Sequence, residues 1–276
     1  MTKGVVRSFI LALSLLIFCN TEVYPNNQEN SDLSHELIKA GFTVLGVGEQ
    51  YQVPYVEVLV PNGTAIYSLC RKVPSLNARF FEAREKIAYF NALDPFFIKK
   101  EVDEPNSFRV KTLKIPLDLS LEPVIFPEFD EALAHYDQYL LIDIGKSYLA
   151  LYTRGVLTRV YPISPGTRLK GSRTRTPLIS FTVLSKDENH WSNIYESWMP
   201  WSLLIRRPYF IHGGCLPGTP DSHGCIRLFN DHAQELFNLV EVGTPGRVIF
   251  SDTSLAQSQF PEDRPRRSGL RRLTRR

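Results

Sequence analysis

Residues 211–228 concentrate the reactive side chains of this 276-residue chain: His212, Cys215, His223 and Cys225 hold two of its six histidines and two of its four cysteines. A thiol is a weak nucleophile until it loses its proton, and a nearby imidazole can take that proton. A glycine beside the nucleophile lets backbone N–H groups approach a developing oxyanion. Ser222-His223-Gly224-Cys225 carries these parts in compact form, with Ser222 suited to capping or orienting the turn. His212 ends the apolar run Tyr209-Phe210-Ile211, thirteen residues before Cys225, and the intervening Gly/Pro-rich loop can fold back to bring the two together. The same residues allow two other uses. His212, Cys215, His223 and Cys225 form a two-His, two-Cys set for zinc, although His-x-Cys is tight for two ligands of one metal. A Cys215–Cys225 disulfide would block the nucleophile unless it were reversible.

The elements that must position these residues are strands. Short apolar runs at 139–144, 148–153 and 156–163 are separated by Gly145-Lys146-Ser147 and Arg154-Gly155, which predicts an antiparallel meander. Further strands are expected at 181–184, 209–211 and 246–250. Ala233, Leu236, Phe237 and Val240 recur at helical spacing, predicting a helix over 231–240 with Asn230 as its cap. The fold class is therefore mainly β, with one helix packed on it. Trp191, Trp198 and Trp201 precede His212 and read either as a lid that excludes water or as a loop packed on the sheets.

Upstream, residues 1–21 read as a signal peptide, with Lys3 and Arg7 before the apolar run at 9–18. Export to the periplasm or cell envelope follows from that reading. Residues 22–54 are an unassigned linker. Residues 55–117 predict strand, helix, helix, strand: 55–60, 65–73 with Thr64 as cap, 78–90, and 113–116. Cys70 is then a small buried residue of the first helix. Proline-punctuated residues 118–137 form a linker or packed strap. Residues 253–276 are a basic, disordered tail. Seven Arg against Glu262 and Asp263 give 261–276 a charge of +5, so the other 260 residues carry −2 of the net +3. The body is thus not a nucleic-acid binder, and the tail is the candidate contact for anionic wall or membrane surfaces. Composition also excludes a disulfide scaffold, a collagen-like chain and a bundle of membrane helices. No nucleotide-binding glycine pattern is present.

Two resemblances follow from these residues. His212-Gly213, then Ser222-His223-Gly224-Cys225-Ile226-Arg227-Leu228, with Thr176-Pro177 upstream and Asn230-Asp231 downstream, resemble the signature of L,D-transpeptidase (YkuD-type) catalytic domains over residues 138–252. Val60-Pro61-Asn62-Gly63-Thr64, Asn91-Ala92-Leu93-Asp94-Pro95 and Leu113-Lys114-Ile115-Pro116 resemble a divergent LysM module, a wall-glycan-binding unit. The first resemblance implies a β-sandwich and a cysteine acyltransferase without cofactor or metal. It implies Cys225 as nucleophile and His212 as base. His223 and Ser222 orient the loop, and the Gly224 and Cys225 N–H groups receive the oxyanion. Arg227, Gly213 and Trp198 become substrate contacts. Its substrates are peptidoglycan stem peptides on glycan strands, and carbapenems are expected to acylate the cysteine. An L,D-carboxypeptidase using the same cysteine, and a wall-binding protein with a silent catalytic domain, remain the alternatives. The chain departs from the family at Ile179, where glycine is common, and at the additional thiol Cys215.

Overall fold

The computed structural model describes residues 27–99, 110–167 and 175–251. The expected signal peptide (1–21) and basic tail (253–276) lie outside the described residues. Among the described residues no helix is long and apolar enough to cross a membrane.

The first unit begins earlier than the strand pattern suggests. Within the stretch read as an unassigned linker, helix α1 (Asn27–Lys39) and strand β1 (Thr43–Gln50) precede β2 (Val53–Leu59). Leu37 of α1 is fully buried. β1 is hard to read because Gly46 and Gly48 interrupt it and Leu45 and Val47 are exposed. It exists because it pairs antiparallel with β2 through the two-residue turn Tyr51-Gln52, closed by Gln50 opposite Val53. Both turn residues have positive φ (55° and 63°), the geometry that favours Asn-Gly, so the usual turn signal is missing. Helices α2 (Ile66–Lys72), α3 (Pro74–Ala78) and α4 (Phe80–Phe90) follow, and then β3 (Thr112–Pro116), which pairs antiparallel with β2. Val56, Val58, Ile66, Leu69, Cys70, Ile87, Leu113 and Ile115 share one core. The cap of α2 differs from expectation. Ala65 takes the N-cap position and its N–H donates to Ser68 Oγ at 3.0 Å, while the Thr64 carbonyl accepts from Lys99 N–H at 2.7 Å. Thr64 is thus used by tertiary pairing and not by the helix.

The second unit is mainly β. Strands β4 (Tyr139–Asp143), β5 (Tyr148–Thr153), β6 (Val156–Pro162), β7 (Ser180–Thr182), β8 (Ser185–Ser192), β9 (Ser197–Arg206), β10 (Tyr209–Gly213) and β11 (Ile226–Leu228) are followed by helix α5 (Asn230–Leu239) and strand β12 (Pro245–Ile249). One sheet has the order β6-β5-β4-β12-β7 and the other β11-β10-β9-β8. Leu140, Leu149, Val248, Leu203, Ile211, Ile226 and Leu236 form one core between the sheets and α5. β5 is buried and aromatic or aliphatic from Tyr148 to Tyr152 because both its faces are covered. Leu149 and Leu151 face that core, while Tyr148, Ala150 and Tyr152 pack on Ile125, Phe126 and Leu133 of the strap. Tyr152 Oη donates to the Pro127 carbonyl at 2.9 Å, and Tyr148 Oη to the Tyr89 carbonyl at 3.0 Å. Residues 118–137 are a strap anchored by buried Leu119 in the first core and by Ile125, Phe126 and Leu133 on β5, and Val124 N–H donates to the Tyr51 carbonyl at 2.9 Å.

The tryptophans belong to strands. β8 and β9 form a hairpin in which Trp191 lies opposite Trp198, with ring centroids 5.0 Å apart. Trp201 instead packs on Phe237 of α5 at 5.6 Å. β8, SKDENHWS, is mostly exposed, so its polar sequence hides a strand that exists by pairing. Phe229, not Asn230, is the N-cap residue of α5.

Candidate active site

Strands β10 and β11 carry the reactive residues and pair in parallel. Ile211 lies opposite Ile226, and His212 opposite Arg227. Ile211 and Ile226 face the core. Alternation then puts His212 and Arg227 on the other face. Cys225, one residue before β11, falls on that same side. Parallel pairing thus puts a thiol and an imidazole thirteen residues apart in sequence on one side of the β10–β11 pair.

His212 is buried at 6% exposure, and its Nδ1 lies 2.8 Å from the Gly213 carbonyl. A carbonyl accepts only, so Nδ1 carries the proton and the Nε2 lone pair is left to act as base. Burial, with Arg227 and His190 adding like charge, lowers the His212 pKa to about 4 against the pull of the Gly213 bond. Burial raises the Cys225 thiol, offset in part by the Phe210 main chain and the Arg227 charge. Both shifts favour the neutral thiol–imidazole pair over thiolate–imidazolium. Alkylation of the free protein at Cys225 by iodoacetamide should therefore keep accelerating above the pH at which an ordinary cysteine levels off. A plateau already reached below about pH 7, the mark of an activated thiolate, would contradict this arrangement.

The turn before Cys225 is held by buried hydroxyls. Ser222 Oγ donates to the Cys225 carbonyl in a short hydrogen bond. It also accepts from Gly224 N–H at 3.0 Å. The latter bond corrects one expectation: the Gly224 N–H is occupied by Ser222 and is not presented to substrate. Gly224 has φ +116°, and a Cβ there would lie 2.6 Å from the Tyr209 ring, so the turn requires glycine. Thr176, 1% exposed, was legible only as part of a motif; its hydroxyl donates to the Gly224 carbonyl at 2.9 Å and accepts from Gly166 N–H at 2.8 Å. Thr176→Val removes both partners and should destabilise the fold by about 2–3 kcal/mol, read as a shifted urea midpoint. At Ile179 the chain manages without glycine: the Ile179 carbonyl accepts from Val248 N–H at 2.8 Å, which ties it to β12.

The other candidates are distributed differently from expectation. Arg227 pairs with Asp221 at 3.2 Å, a partly buried ion pair that clamps the loop. Gly213 meets no substrate-sized space: a Cβ there would lie 2.5 Å from Asn230 Oδ1. Its role is close packing against α5, because a side chain cannot fit there. Cys225 opens instead into a cavity of about 280 Å³, lined by His223, Tyr195, Ile194, Trp191, Met199 and Tyr209 among others. His223 is exposed and stacks on Tyr195, with centroids 4.6 Å apart and planes at 27°. Trp198 is 65% exposed and supports the cavity wall only through Trp191. Cys215 and Cys225 are not joined by a disulfide. Among the described residues no three His, Cys, Asp or Glu side chains converge as a metal cluster, so the zinc set does not assemble.

Residues 137–249 match the family model of YkuD, the L,D-transpeptidase catalytic domain. Among solved structures the chain is similar to an L,D-transpeptidase in complex with imipenem (22% identity, covering 41% of this chain and 58% of that chain, TM-score 0.38). It is also similar to an L,D-transpeptidase from Stackebrandtia nassauensis (20% identity, 45% and 60% coverage, TM-score 0.39). A third is a cysteine-to-serine variant of the Enterococcus faecium L,D-transpeptidase (28% identity, 41% and 49% coverage, TM-score 0.36). The chain thus spans less than two thirds of the length of each of these three. No curated protein matches the chain. The family match over 137–249 takes in β4 to β12, so it is the second unit of the chain that is similar to a YkuD L,D-transpeptidase catalytic domain.

Proposed function

We propose that the protein is a cysteine acyltransferase that acts on peptidoglycan stem peptides. The observation that carries this reading is the β10–β11 pairing, which puts Cys225 on the face that bears buried, neutral His212. Cys225 Sγ attacks the carbonyl carbon that joins the stem to its terminal D-amino acid, while His212 Nε2 takes the thiol proton. With the thiol raised and the imidazole lowered, the resting pair is neutral thiol and neutral imidazole, which favours proton transfer in concert with attack. The Cys225 N–H stabilises the oxyanion, a role the Gly224 N–H has given up to Ser222. The C–N bond breaks, His212 returns the proton to the leaving amine, and a thioester remains. An acceptor amine then attacks the thioester and loses a proton to His212. The new amide forms and the Cys225 thiol is regenerated.

The β8–β9 hairpin supports transfer over hydrolysis. Ile194 and Tyr195 at its tip and Trp191 on its side wall the Cys225 cavity with apolar surface, which disfavours water as acceptor. With water the same residues make an L,D-carboxypeptidase. His223, stacked on Tyr195, orients this wall. The first unit binds glycan strands and the basic tail contacts anionic wall or membrane surface, which places the protein in the cell envelope after export.

Intact-mass spectrometry with a tetrapeptide stem or with imipenem tests the reading. A stoichiometric adduct mapped to Cys225, followed by amide product when an amine is added, is the expected result. An adduct that only hydrolyses would select the carboxypeptidase. No adduct in reduced, folded protein would leave a wall-binding protein with a silent domain.

A further inference from the structure

The loop that joins His212 to Cys225 is gripped at its middle by the first unit. Asp94 N–H donates to the Leu216 carbonyl at 2.8 Å, and Gly218 N–H donates to the Ala92 carbonyl at 3.1 Å. Between these bonds Leu93 lies opposite Pro217 in an antiparallel bridge. Leu93 and Leu216 are both fully buried. The loop is pressed close: Gly218 has φ +81°, and a Cβ there would stand 2.7 Å from Val110 Cγ1 and 3.4 Å from Leu93 Cδ1.

The gripping segment is itself rigidly held. Asn91 Nδ2 donates to the Ile87 and Lys114 carbonyls at 2.7 and 2.8 Å. Its Oδ1 accepts from Lys114 N–H at 3.0 Å, so the knuckle is fastened to both α4 and β3. Leu93 N–H donates back to the Ala88 carbonyl at 2.9 Å. Nearer Cys225 the loop has a second anchorage inside the catalytic domain. Ser164 Oγ donates to the Thr219 carbonyl at 2.8 Å, and Thr167 N–H to the Ser222 carbonyl at 3.1 Å. Within the motif Asn91-Ala92-Leu93-Asp94, Asn91 thus holds the first unit together while Ala92, Leu93 and Asp94 meet the loop before Cys225.

We propose that Leu93, with the main chain of Ala92 and Asp94 on either side, is a positioning residue for Cys225: the first unit sets the conformation of the catalytic loop and hence the approach of the thiol to His212. This rests on Cys225 as the nucleophile. A loop of this length without a central anchor samples many conformations. A displacement of about 1 Å in a reacting group can cost on the order of 100-fold in rate. The cavity beside Cys225 is walled by the β8–β9 hairpin and holds no residue of the first unit, so loosening the grip acts on turnover and not on substrate binding.

The test uses the full chain with Leu93→Ala, the conservative Leu93→Met, and Leu69→Ala, a control in α2 that is equally buried in the same core. Two readouts are followed: acylation of Cys225 by imipenem or stem peptide, and the pH profile of Cys225 alkylation by iodoacetamide. Leu93→Ala should lower kcat and the acylation rate by about 10-fold or more, with KM within about two-fold, and should shift the alkylation profile. Leu93→Met should restore both. Leu69→Ala should lower the melting temperature comparably and leave both readouts within about two-fold of wild type. An equal loss in Leu69→Ala would reduce the effect to general destabilisation and overturn the proposal. So would a folded Leu93→Ala with an unchanged alkylation profile. If wild type accepts no acyl group, acyl transfer is what fails, and the alkylation profile still decides the positioning role. Should Leu93→Ala not fold, Gly218→Ala loosens the same junction from the loop side and carries the same expected changes.

Discussion

Cys225→Ala should abolish acylation by stem peptide and by imipenem, with a loss of at least about 10⁴-fold in rate, because no other nucleophile replaces the covalent step. The substitution removes one sulfur from a partly buried position at the end of a turn. The turn itself is held by main-chain and hydroxyl bonds at Ser222, Gly224 and Thr176. The melting temperature should therefore stay within a few degrees of wild type, which separates loss of chemistry from loss of fold. Intact-mass spectrometry reads the result directly. Residual adduct on the variant, mapped to Cys215, would show that the second thiol reaches substrate. Burial and the neighbouring Asp94 carboxylate raise the Cys215 thiol, so that adduct is not expected at neutral pH.

His212→Asn should slow acylation by about 10²–10⁴-fold while leaving KM little changed, the range for loss of a positioned general base. Asparagine keeps a donor near the Gly213 carbonyl and has no basic nitrogen at the Nε2 position, so the effect isolates the base. His223→Asn is expected to change the rate by less than about five-fold, because His223 stacks on the hairpin and His212 is the proposed base. A reversal of these two effects would exchange their roles. The same substitution has a signature in stability. With a folded pKa of about 4 against the ordinary 6.5, native His212 stays neutral while the unfolded chain takes up a proton. Stability is then lost as pH falls from about 6.5 to about 4, by about 3 kcal/mol in full. His212→Asn should flatten this part of the dependence in urea titrations at pH 7 and pH 4.5. A wild-type acylation rate that already halves near pH 6.5 in the free enzyme would show that His212 is not held neutral as its burial implies.

Local pattern and tertiary pairing contributed differently to the site. The thiol, both histidines and the glycine of the turn were legible because they are adjacent or nearly so. The strands β4 to β6 were legible because Gly145-Lys146-Ser147 and Arg154-Gly155 punctuate apolar runs. α5 was legible because one of its faces repeats at helical spacing. In each case the information lies within a few residues along the chain.

Partners distant in sequence decided the rest. β8 is polar and becomes a strand only when β9 lies beside it. β1 follows from a turn whose two residues, Tyr51 and Gln52, lack the usual composition and are held by pairing across it. Thr176 acquires its importance from two carbonyl and amide groups ten and forty-eight residues away. Arg227 is neutralised by Asp221, and Gly213 is explained by Asn230. No periodicity encodes such contacts, since each depends on two segments meeting after folding. The sequence by itself singled out the candidate nucleophile, its candidate bases and the mainly β class of the domain. Only the tertiary structure decided which imidazole is buried on the Cys225 side of the β10–β11 pair, which N–H groups are already occupied, and that the knuckle at Leu93 grips the loop that joins the two: burial and hydrogen-bond partnership are properties of the packed chain.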